Sequence, residues 1–548
     1  MSIESSMEVI MVKQKYGVVY TPDTLSEFVA ILLKRVVGDA PMSVVLDPAS
    51  GECSLLNAAR GVFGERCEYI GIDVDKDAVN NTKDLFTIKF NDAILPRNVK
   101  RKTAEYWKDK LPTISAIIAN PPWSSEKIYE RSVLERAGYT LVAGQYDSYV
   151  LFIELAYNIL CEQGVMAFII PDSLFDAQNE RLRKFLVEKT KIKVIARLGE
   201  KIFGEVNRAT TVIICQKEVP SPEDETVCFR LSTDARKDYL TRKGTLISFF
   251  DESCHRVKQA RFMQNKGYNF DIDAYSDEEE LLAKITSEVI DWNHIFNFGR
   301  GVEISKAGKV VYCPFCNYAQ GYKKKQMVAG VKVCTHCGAE IPVNAETANN
   351  VVTHVPDSES VLIYVGENVH RYGINGEFYI RPNIEGINYK NRDLYTPPKL
   401  LVRKTGLGIY GAIDYTGSMT SQTVYILKYA DEGNATPLEY YLALINSRVV
   451  YYYYLKVYGE NEWKSHPYLT KQIIYTLPIR PYFGDELDQQ IVHLATALMQ
   501  KYDYQTDLRL EKLVMQKYGL SDEEERLISN EMKRLPNLSA VNNMKMEA

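Results

Sequence analysis

Long apolar runs are missing from this sequence of 548 residues, since none approaches the ~20 residues that a membrane-spanning helix needs. Residues 1–6 also lack the basic and then apolar pattern of a secretory leader. With 46% hydrophobic and 25% charged residues, the composition is that of an ordinary globular protein, long enough for several domains. These absences predict a cytoplasmic protein that has no membrane partner.

The sequence also lacks the cysteine spacing that is typical of a disulfide framework. Six of the ten stand singly, namely Cys53, Cys67, Cys161, Cys215, Cys228 and Cys254. The other four form the pairs Cys313-x-x-Cys316 and Cys334-x-x-Cys337, which 17 residues separate. This spacing is typical of a ribbon that holds one tetrahedral Zn²⁺ on four thiolates. We expect a structural zinc over about residues 310–340 in a reducing compartment, with no ligand role for His336.

The net charge of −5 is small, but its distribution along the chain is uneven. Residues 301–480 carry 19 Lys and Arg against 15 Asp and Glu, a net of +4, whereas residues 481–548 carry 8 against 12. The middle of the chain is where binding of a polyanion is plausible. A scatter of solvated lysines gives the same count, so charge leaves both interpretations open.

Short apolar runs alternate with helix-like segments over the first three hundred residues. One such segment, 148–161, has an apolar face at helical spacing. This alternation predicts an α/β fold with a mostly parallel, Rossmann-like sheet covered by helices on both faces. Ligands bind to such sheets beyond the carboxyl ends of the strands. The predicted strands are residues 43–46, 68–72, 114–119, 164–170, 193–196 and 210–214.

The tetrapeptide Asn120-Pro121-Pro122-Trp123 follows the third of these strands. Two prolines stiffen the backbone and carry no N–H, so the carbonyls of this turn are available to accept from a ligand. Asn120 adds a side-chain carbonyl and Trp123 a large flat face, which together suit a planar amine. A strand that simply ends in a proline turn, with Trp123 packed in the core, fits the same residues.

Acidic residues stand at the ends of the first two strands and beyond. Asp47-Pro48-Ala49-Ser50-Gly51 follows the first strand, and Ala49 and Gly51 allow a ligand close to the backbone there. Asp73 ends the second strand, where a carboxylate can accept from ribose hydroxyls. Asp92 is placed to receive an amino group. Each acid taken alone is also explained as a solvated loop residue.

The order of these motifs along the chain is more specific than any one of them. From residue 16 the sequence reads Tyr-Gly-Val-Val-Tyr-Thr-Pro, then come the Asp47 turn, Asp73, Asp92, Asn120–Trp123, Gln145-Tyr-Asp-Ser-Tyr149 and Ile169-Ile-Pro-Asp-Ser-Leu174. This order resembles the gamma arrangement of DNA amino-methyltransferases, the TaqI-like and Eco57I-like adenine-N6 modification enzymes. The resemblance is detailed over about residues 13–217.

The resemblance implies roles for the residues. S-adenosylmethionine would be held at its methionine end by Thr21, Asp47, Pro48, Ala49 and Gly51, on its ribose by Asp73, and on its adenine by Asp92. Asn120 and Pro121 would accept from the target amine, with Pro122 in the same catalytic turn, while Trp123 and Phe203 would stack on a flipped-out base. Phe203 fits equally as a core phenylalanine. The chain departs from the family at Cys53, where a glycine is common.

By the same resemblance, residues 1–285 form the catalytic domain, 286–480 a mixed α/β target-recognition domain with the zinc ribbon, and 481–548 a helical tail. Residues 400–406 and 418–425 are expected to form β-hairpins. Lys323, Lys324 and Lys325, together with Arg403 and Lys404, are the candidate contacts to double-stranded DNA, although solvated loops also carry such residues.

Several alternatives stay open. The turn that begins with asparagine favours adenine-N6 over cytosine-N4 chemistry, and ribosomal-RNA or protein-glutamine methyltransferases use a similar loop. A non-catalytic DNA-binding subunit is a third possibility. We find no convincing Asp…Glu-x-Lys nuclease cluster, so we expect any restriction endonuclease or other defence subunit to be a separate chain. The expected role is the modification component of a restriction-modification or defence system.

Overall fold

The computed structural model describes residues 21–40, 42–82, 85–97, 99–123, 129–144, 146–204, 208–304, 309–431, 433–459, 469–535 and 541–545. Its contacts divide the chain into two compact units. The first contains Met1–Glu278 and Lys456–Lys464, and the second contains Glu279–Leu455 and Ser465–Ala548. The functional division at residues 285 and 480 remains a prediction. In the described part of the chain, no helix combines the length and apolarity needed to cross a membrane.

The first unit alternates helices and strands, as the sequence predicts. Its helices are α1 Asp23–Val37, α2 Ser54–Phe63, α3 Lys76–Thr82, α4 Thr103–Lys110, α5 Arg131–Arg136, α6 Tyr149–Ile159, α7 Glu180–Lys189, α8 Thr233–Leu240, α9 Leu246–Ser253 and α10 Gln259–Gln264. Its strands are β1 Val44–Asp47, β2 Glu68–Asp73, β3 Thr87–Phe90, β4 Ile114–Ala119, β5 Leu160–Pro171, β6 Lys191–Gly199, β7 Thr210–Gln216, β8 Glu225–Arg230 and β9 His255–Lys258.

These strands form one sheet, which among the described residues has nine strands in the order β3-β2-β1-β4-β5-β7-β6-β8-β9. The pairings from β3 to β5 are all parallel, so the carboxyl ends of β1, β2 and β4 lie at one edge. Strand β7 is antiparallel to both β5 and β6, which the apolar pattern of the sequence did not distinguish from a parallel strand. The predicted α/β class is confirmed.

Both faces of the sheet are buried, which explains why its central strands read as continuous apolar runs. Strand β4 buries Ile114, Ile117 and Ala119 with the cluster on one face, and Ala116 and Ile118 with the cluster on the other. From Ala116 to Ala119, period-two alternation therefore sends successive side chains of one apolar strand into two different cores, whereas Ile114 precedes an irregularity in the pairing with β5. Helix α6 lies in the first core, where nine of its eleven residues are buried.

The second unit carries several small sheets and a set of helices. Its helices are α11 Glu279–Thr286, α12 Trp292–Ile295, α13 Lys324–Ala329, α14 Leu438–Ile445, α15 Arg448–Tyr458 (whose last residues fall in the first unit), α16 Lys471–Ile474, α17 Glu486–Gln500, α18 Tyr504–Lys517 and α19 Asp522–Lys533. Its strands up to residue 353 are β10 Phe296–Arg300, β11 Lys309–Tyr312, β12 Ala319–Gln320, β13 Val331–Val333, β14 Glu340–Pro342, β15 Asn349–Asn350 and β16 Val352–Thr353. The remaining strands are β17 Val361–Tyr364, β18 Val369–His370, β19 Gly373–Ile374, β20 Phe378–Ile380, β21 Lys399–Arg403, β22 Gly411–Asp414, β23 Met419–Thr420 and β24 Val424–Tyr429.

Of the two expected hairpins in this unit, one forms. Strands β21 and β22 pair antiparallel, from Lys399 opposite Asp414 to Val402 opposite Gly411. Residues 418–425 do not form a hairpin, because β23 pairs with β17 in one sheet while β24 pairs with β10 and β21 in another. The short turn between β23 and β24 moves the chain from one sheet to the next, which local turn residues cannot reveal.

The C-terminal helices pack within this second unit. Their link to the rest of it is a buried ion cluster in which Arg448 lies 2.9 Å from Asp507 and 3.2 Å from Glu511. Arg371 also pairs with Asp507. Because all four side chains are buried, removing one partner would leave an uncompensated charge inside the protein.

Candidate active site

A deep pocket opens where β1, β2 and β4 end, and its empty volume including the mouth is about 1140 Å³. It contains every described residue that the sequence assigned to cofactor binding and to the catalytic loop. These residues are Thr21, Asp47, Pro48, Ala49, Gly51, Asp73, Asp92, Asn120, Pro121, Pro122 and Trp123. They converge because parallel strands present their carboxyl ends at one edge of the sheet.

Asp47 ends β1 and is 1% exposed. Its Oδ1 accepts from the backbone N–H of Ala49 over 2.9 Å, which closes the turn that follows the strand. Burial, and to a smaller extent the nearby Asp73, raises the pKa of Asp47 to about 8, against the lowering by this hydrogen bond. A cation placed in the pocket would therefore be stabilised by ionisation of this carboxyl group.

Asp73, the last residue of β2, supports the same turn from the neighbouring strand. Its Oδ2 accepts from the N–H of Gly51 over 2.6 Å and its Oδ1 from the N–H of Asp75 over 2.8 Å. Burial raises the pKa of Asp73 as well. The carboxylate thus ties the ends of β1 and β2 together at the floor of the pocket.

Cys53, the departure from the family pattern, stands just before α2 with φ +64°. This left-handed conformation is the one that glycine adopts without cost, which explains the glycine common at this position. The thiol is buried in the core and does not belong to the pocket lining. The substitution therefore falls on the side of the turn that faces away from the pocket.

Asp92 lies after β3 and is held by its own turn. Its Oδ1 accepts from the N–H groups of Ile94 and Leu95 over 2.8 and 3.1 Å. Its Oδ2 accepts from the hydroxyl of Tyr129 over 2.7 Å, and Tyr129 also lines the pocket. Tyr129 is not among the site residues predicted from the sequence motifs, because 37 residues separate it from Asp92 along the chain.

The side-chain amide of Asn120 donates from Nδ2 to Thr21 Oγ1 over 3.0 Å. This contact fixes the orientation of the amide group. Its Nδ2 donates to the threonine hydroxyl, so its Oδ1 is the atom that can accept a hydrogen bond from a ligand. Thr21 precedes α1, so the segment at the start of the described chain holds the residue that follows β4.

Two carbonyl groups of the catalytic loop have side-chain donors. The hydroxyl of Ser148, next to the start of α6, donates to the carbonyl of Pro122. The guanidinium of Arg208 donates from Nη1 to the carbonyl of Trp123 over 2.6 Å. The loop is therefore fixed at Pro122 and Trp123 by residues 26 and 85 positions away in sequence.

The side chain of Trp123 is more deeply buried than expected for a residue that stacks on a base. It is 7% exposed, and its indole N–H donates to the carbonyl of Ile169 over 3.3 Å. Phe203 meets it edge to face, with ring centroids 5.2 Å apart. Phe203 is half-buried and, among the described residues, is not part of the pocket lining. A base could stack between the two rings only if they separated.

The four paired cysteines form a second, separate cluster in the second unit, with their sulfurs all within 4.8 Å of one another. Cys313 Sγ lies 3.6 Å from Cys337 Sγ, and Cys316 Sγ lies 3.7 Å from Cys334 Sγ. Four sulfurs at ~2.3 Å from one tetrahedral Zn²⁺ would be about 3.8 Å apart, so these distances fit the ion.

Both cysteine turns have the same backbone geometry. In each, the residue after the second cysteine, Asn317 or Gly338, has positive φ and donates its N–H to the carbonyl of the first cysteine. The side chain of buried Gln320 donates to Cys334 Sγ over 3.1 Å. His336 stacks on Tyr318 with ring centroids 5.0 Å apart and is not one of the four residues of the sulfur cluster.

The candidate DNA-contact residues are scattered over the second unit. Lys323 is exposed at the start of α13, whereas the side chains of Lys324 and Lys325 lie outside the described part of the structure. Arg403 donates from Nε to the carbonyl of Thr405, and the amine of Lys404 lies 5.8 Å from the ring centroid of Tyr425. These five contacts remain predictions, as do the motif residues 16–20 and Gln145, which lie outside the described residues.

Comparison with known families agrees with this geometry. Residues 8–303, more than half of the chain, match the model of the family described as N-6 DNA Methylase. The chain belongs to the N-6 DNA methylase family. Residues 361–479 match the TaqI-like C-terminal specificity domain, so a catalytic and a specificity region follow each other along the chain.

Two curated relatives are similar to this chain over parts of their length. The Type II methyltransferase M.AccI of Acinetobacter calcoaceticus is 24% identical over 215 residues, which are 38% of each chain. The Type II methyltransferase M.BstVI of Geobacillus stearothermophilus is 28% identical over 85 residues, 15% of each chain. The matched part is thus well under two thirds of either relative.

Among solved structures, the fold is similar to that of the Type IIL restriction-modification enzyme MmeI, which was determined in complex with DNA. The TM-score is 0.51 at 12% identity, and the match covers 92% of this chain and 74% of that one. The likeness extends over both units and concerns the fold.

Proposed function

We propose that the protein is an S-adenosylmethionine-dependent DNA methyltransferase that modifies the exocyclic N6 of adenine. The observation that carries this proposal is the pocket in which the Asn120–Trp123 turn lies with Asp47 and Asp73. That pocket joins an amine-accepting turn to a group of buried carboxyl groups. A charged methyl donor and a planar amine acceptor fit these two parts.

The chemistry of the pocket fits S-adenosylmethionine, which supplies a methyl group already activated on a sulfonium. Asp47, whose pKa is about 8 in the free pocket, would ionise opposite a cationic methionine end. Asp73 would accept from the ribose hydroxyls, and Asp92 from the amino group of the cofactor's adenine. The binding site for the methionine end of the cofactor would be completed by Pro48, Ala49, Gly51 and Thr21.

Asn120 Oδ1 and the Pro121 carbonyl would each accept one N–H of the target amine. These contacts would draw the nitrogen out of conjugation with its ring and strengthen as positive charge develops on it, which is the differential binding that lowers a barrier. Thr21 orients the amide, while Ser148 and Arg208 hold the next two carbonyls. The Asn120 amide and the turn that follows Pro121 are thus held in place before the substrate arrives.

The target base would have to leave the duplex, at a cost of a few kcal/mol, to enter this pocket. Stacking on Trp123 would return about 1–3 kcal/mol of that cost. Because Trp123 and Phe203 touch edge to face, we expect Phe203 to move as the base enters. Double-stranded DNA is the proposed partner. We expect any restriction endonuclease or defence subunit to be a separate chain.

The four-cysteine cluster would hold a structural Zn²⁺. All four protein ligands are sulfurs, which leaves no open coordination position for catalysis. The ion would stabilise the segment around it and take no part in methyl transfer.

Tritium transfer from labelled S-adenosylmethionine to duplex DNA tests the proposal. Label should enter mixed-sequence duplexes, and digestion should release it as N6-methyladenine. Release of the label as N4-methylcytosine would indicate cytosine-N4 methylation instead. If only RNA or protein became labelled, the assignment to DNA would be wrong.

A further inference from the structure

The cysteine cluster lies in a segment, residues 309–343, that we call the ribbon. It falls between the two family matches, which end at residue 303 and begin again at residue 361. Neither family therefore accounts for it. The ribbon has a small core of its own, in which Val311, Ile341 and Val343 pack with two of the cysteines. The ribbon also packs against the specificity region, since Val310 and Ala319 lie in the buried cluster that contains Ile363 and Leu401. It is a module inserted between the two matched regions and supported by the second of them.

The ribbon contains all the net positive charge of the middle of the chain. Residues 309–343 carry five lysines and one acidic residue, Glu340, a net of +4. That equals the net charge of residues 301–480 as a whole, so the remainder of that region is balanced at 14 against 14. A Zn²⁺ with four thiolates contributes −2, which leaves the ribbon at +2 in a protein whose total is negative.

The cationic groups of the ribbon are of one kind, since it contains lysine and no arginine. Three of its five lysines are consecutive, and the first of them, Lys323, is exposed. Lysine contacts phosphate as a compact point charge, without the rigid fork of donors that arginine has. The composition suits attraction to a phosphate backbone.

Large apolar side chains are exposed on the same module. Phe315, in the first cysteine turn, is 78% exposed, and Val331 and Val333 project from one side of β13 at 39% and 59% exposed. Deoxyribose offers an apolar counterpart beside each phosphate, so a module that exposes Lys323 together with apolar side chains suits a sugar-phosphate backbone.

We infer that the ribbon binds the sugar-phosphate backbone of duplex DNA independently of the base sequence. The inference rests on the proposed function, since it assumes that DNA is the substrate. The ribbon then adds affinity, whereas the choice of sequence remains with the specificity domain. An acidic protein surface would also attract lysines, and that partner is an outcome of the test.

The test is the triple variant Lys323→Ala/Lys324→Ala/Lys325→Ala of the full chain. Its dissociation constant for a methylatable duplex is measured from about 50 to about 200 mM salt. The matched control, Lys237→Ala/Arg242→Ala/Lys243→Ala, removes the same charge from exposed residues in and just after α8. Zinc content and S-adenosylmethionine affinity are measured for both variants.

The ribbon variant should bind DNA at least about tenfold more weakly at low salt, with a salt slope lower by about two to three, while the control keeps the wild-type slope. Equal affinity and slope in the ribbon variant and the wild type would overturn the inference and indicate a protein-binding surface. A wild-type chain that neither binds nor methylates DNA would instead overturn the proposed function.

Discussion

Thr21 and Asn120 lie 99 residues apart in sequence, and their side chains form a hydrogen bond of 3.0 Å just beyond the carboxyl end of β4. The threonine hydroxyl accepts from the amide nitrogen, which gives the amide a defined orientation. The acceptor oxygen of Asn120 is thereby turned from a freely rotating group into a positioned one. Positioned acceptors need no reorganisation as charge develops on a bound amine.

The Asn120→Ala variant should bind S-adenosylmethionine nearly as the wild type does and methylate DNA about 100-fold to 1000-fold more slowly, since it loses one acceptor of the transition-state charge. Single-turnover tritium transfer and cofactor titration measure the two quantities. Wild-type turnover by this variant would exclude Asn120 as a catalytic residue.

Thr21→Val replaces the hydroxyl that orients Asn120 by a methyl group of similar size. One hydrogen bond is worth about 1 kcal/mol, so the single-turnover rate should fall about fivefold to tenfold. Thr21→Ser retains the hydroxyl and should recover most of the rate. If valine and serine gave the same rate, the amide orientation would not depend on this contact.

Binding of S-adenosylmethionine near pH 7 should release about one proton, because Asp47 has a pKa of about 8 in the free pocket and a cation would lower it. Affinity should therefore rise with pH and level off above about pH 8. Calorimetry in two buffers of different ionisation enthalpy counts the proton. Asp47→Asn should release none, and an unchanged proton count in that variant would assign the release to another group.

The Ser148→Ala variant frees the carbonyl of Pro122 from its side-chain donor. We expect the methylation rate to fall by about tenfold while cofactor affinity changes little, since the loop loses one of its fixed carbonyls. Ser148→Thr retains a hydroxyl and should restore the rate. Ser115→Ala, which removes a side-chain hydrogen bond to Ser43 at the opposite end of β4, serves as the control and should leave the rate unchanged.

The purified protein should contain one zinc ion per chain, measurable by elemental analysis. Cys334→Ser should abolish its retention, and Gln320→Ala should weaken it about tenfold to 100-fold, because Gln320 donates to the Cys334 sulfur. Cys161→Ser removes a cysteine outside the cluster and should keep the ion. Zinc binding by Cys334→Ser equal to that of the wild type would rule out a site on these four sulfurs.

Much of the first unit follows from local sequence. The positions of β1, β2, β4 and β7 were predictable because a strand buried on both faces is a continuous apolar run with turn residues at its ends. The motif order assigned Asp47, Asp73 and Asn120, since ligands of such sheets meet the residues that follow their strands. The cysteine spacing likewise predicted a four-sulfur cluster.

Other parts of the site depend on residues that are distant in sequence. Ser148 reaches Pro122, Arg208 reaches Trp123, and Tyr129 reaches Asp92. Ser148 stands in one of the family motifs without an assigned role, and no local pattern marks Arg208 or Tyr129 as members of the site. The same holds for the antiparallel direction of β7. Strand direction depends on the path of the connecting chain, which the apolar run itself does not encode.

The sequence by itself determined which residue types stand at the end of each strand, and therefore which chemistry the site can perform. The tertiary structure alone decided how those residues are held: which arm of the Asn120 amide is bound, which carbonyls are fixed, and how far the pKa of Asp47 is raised. The physical reason is that hydrogen-bond partners and burial are properties of the space around a side chain, and that space is formed by segments far apart along the chain.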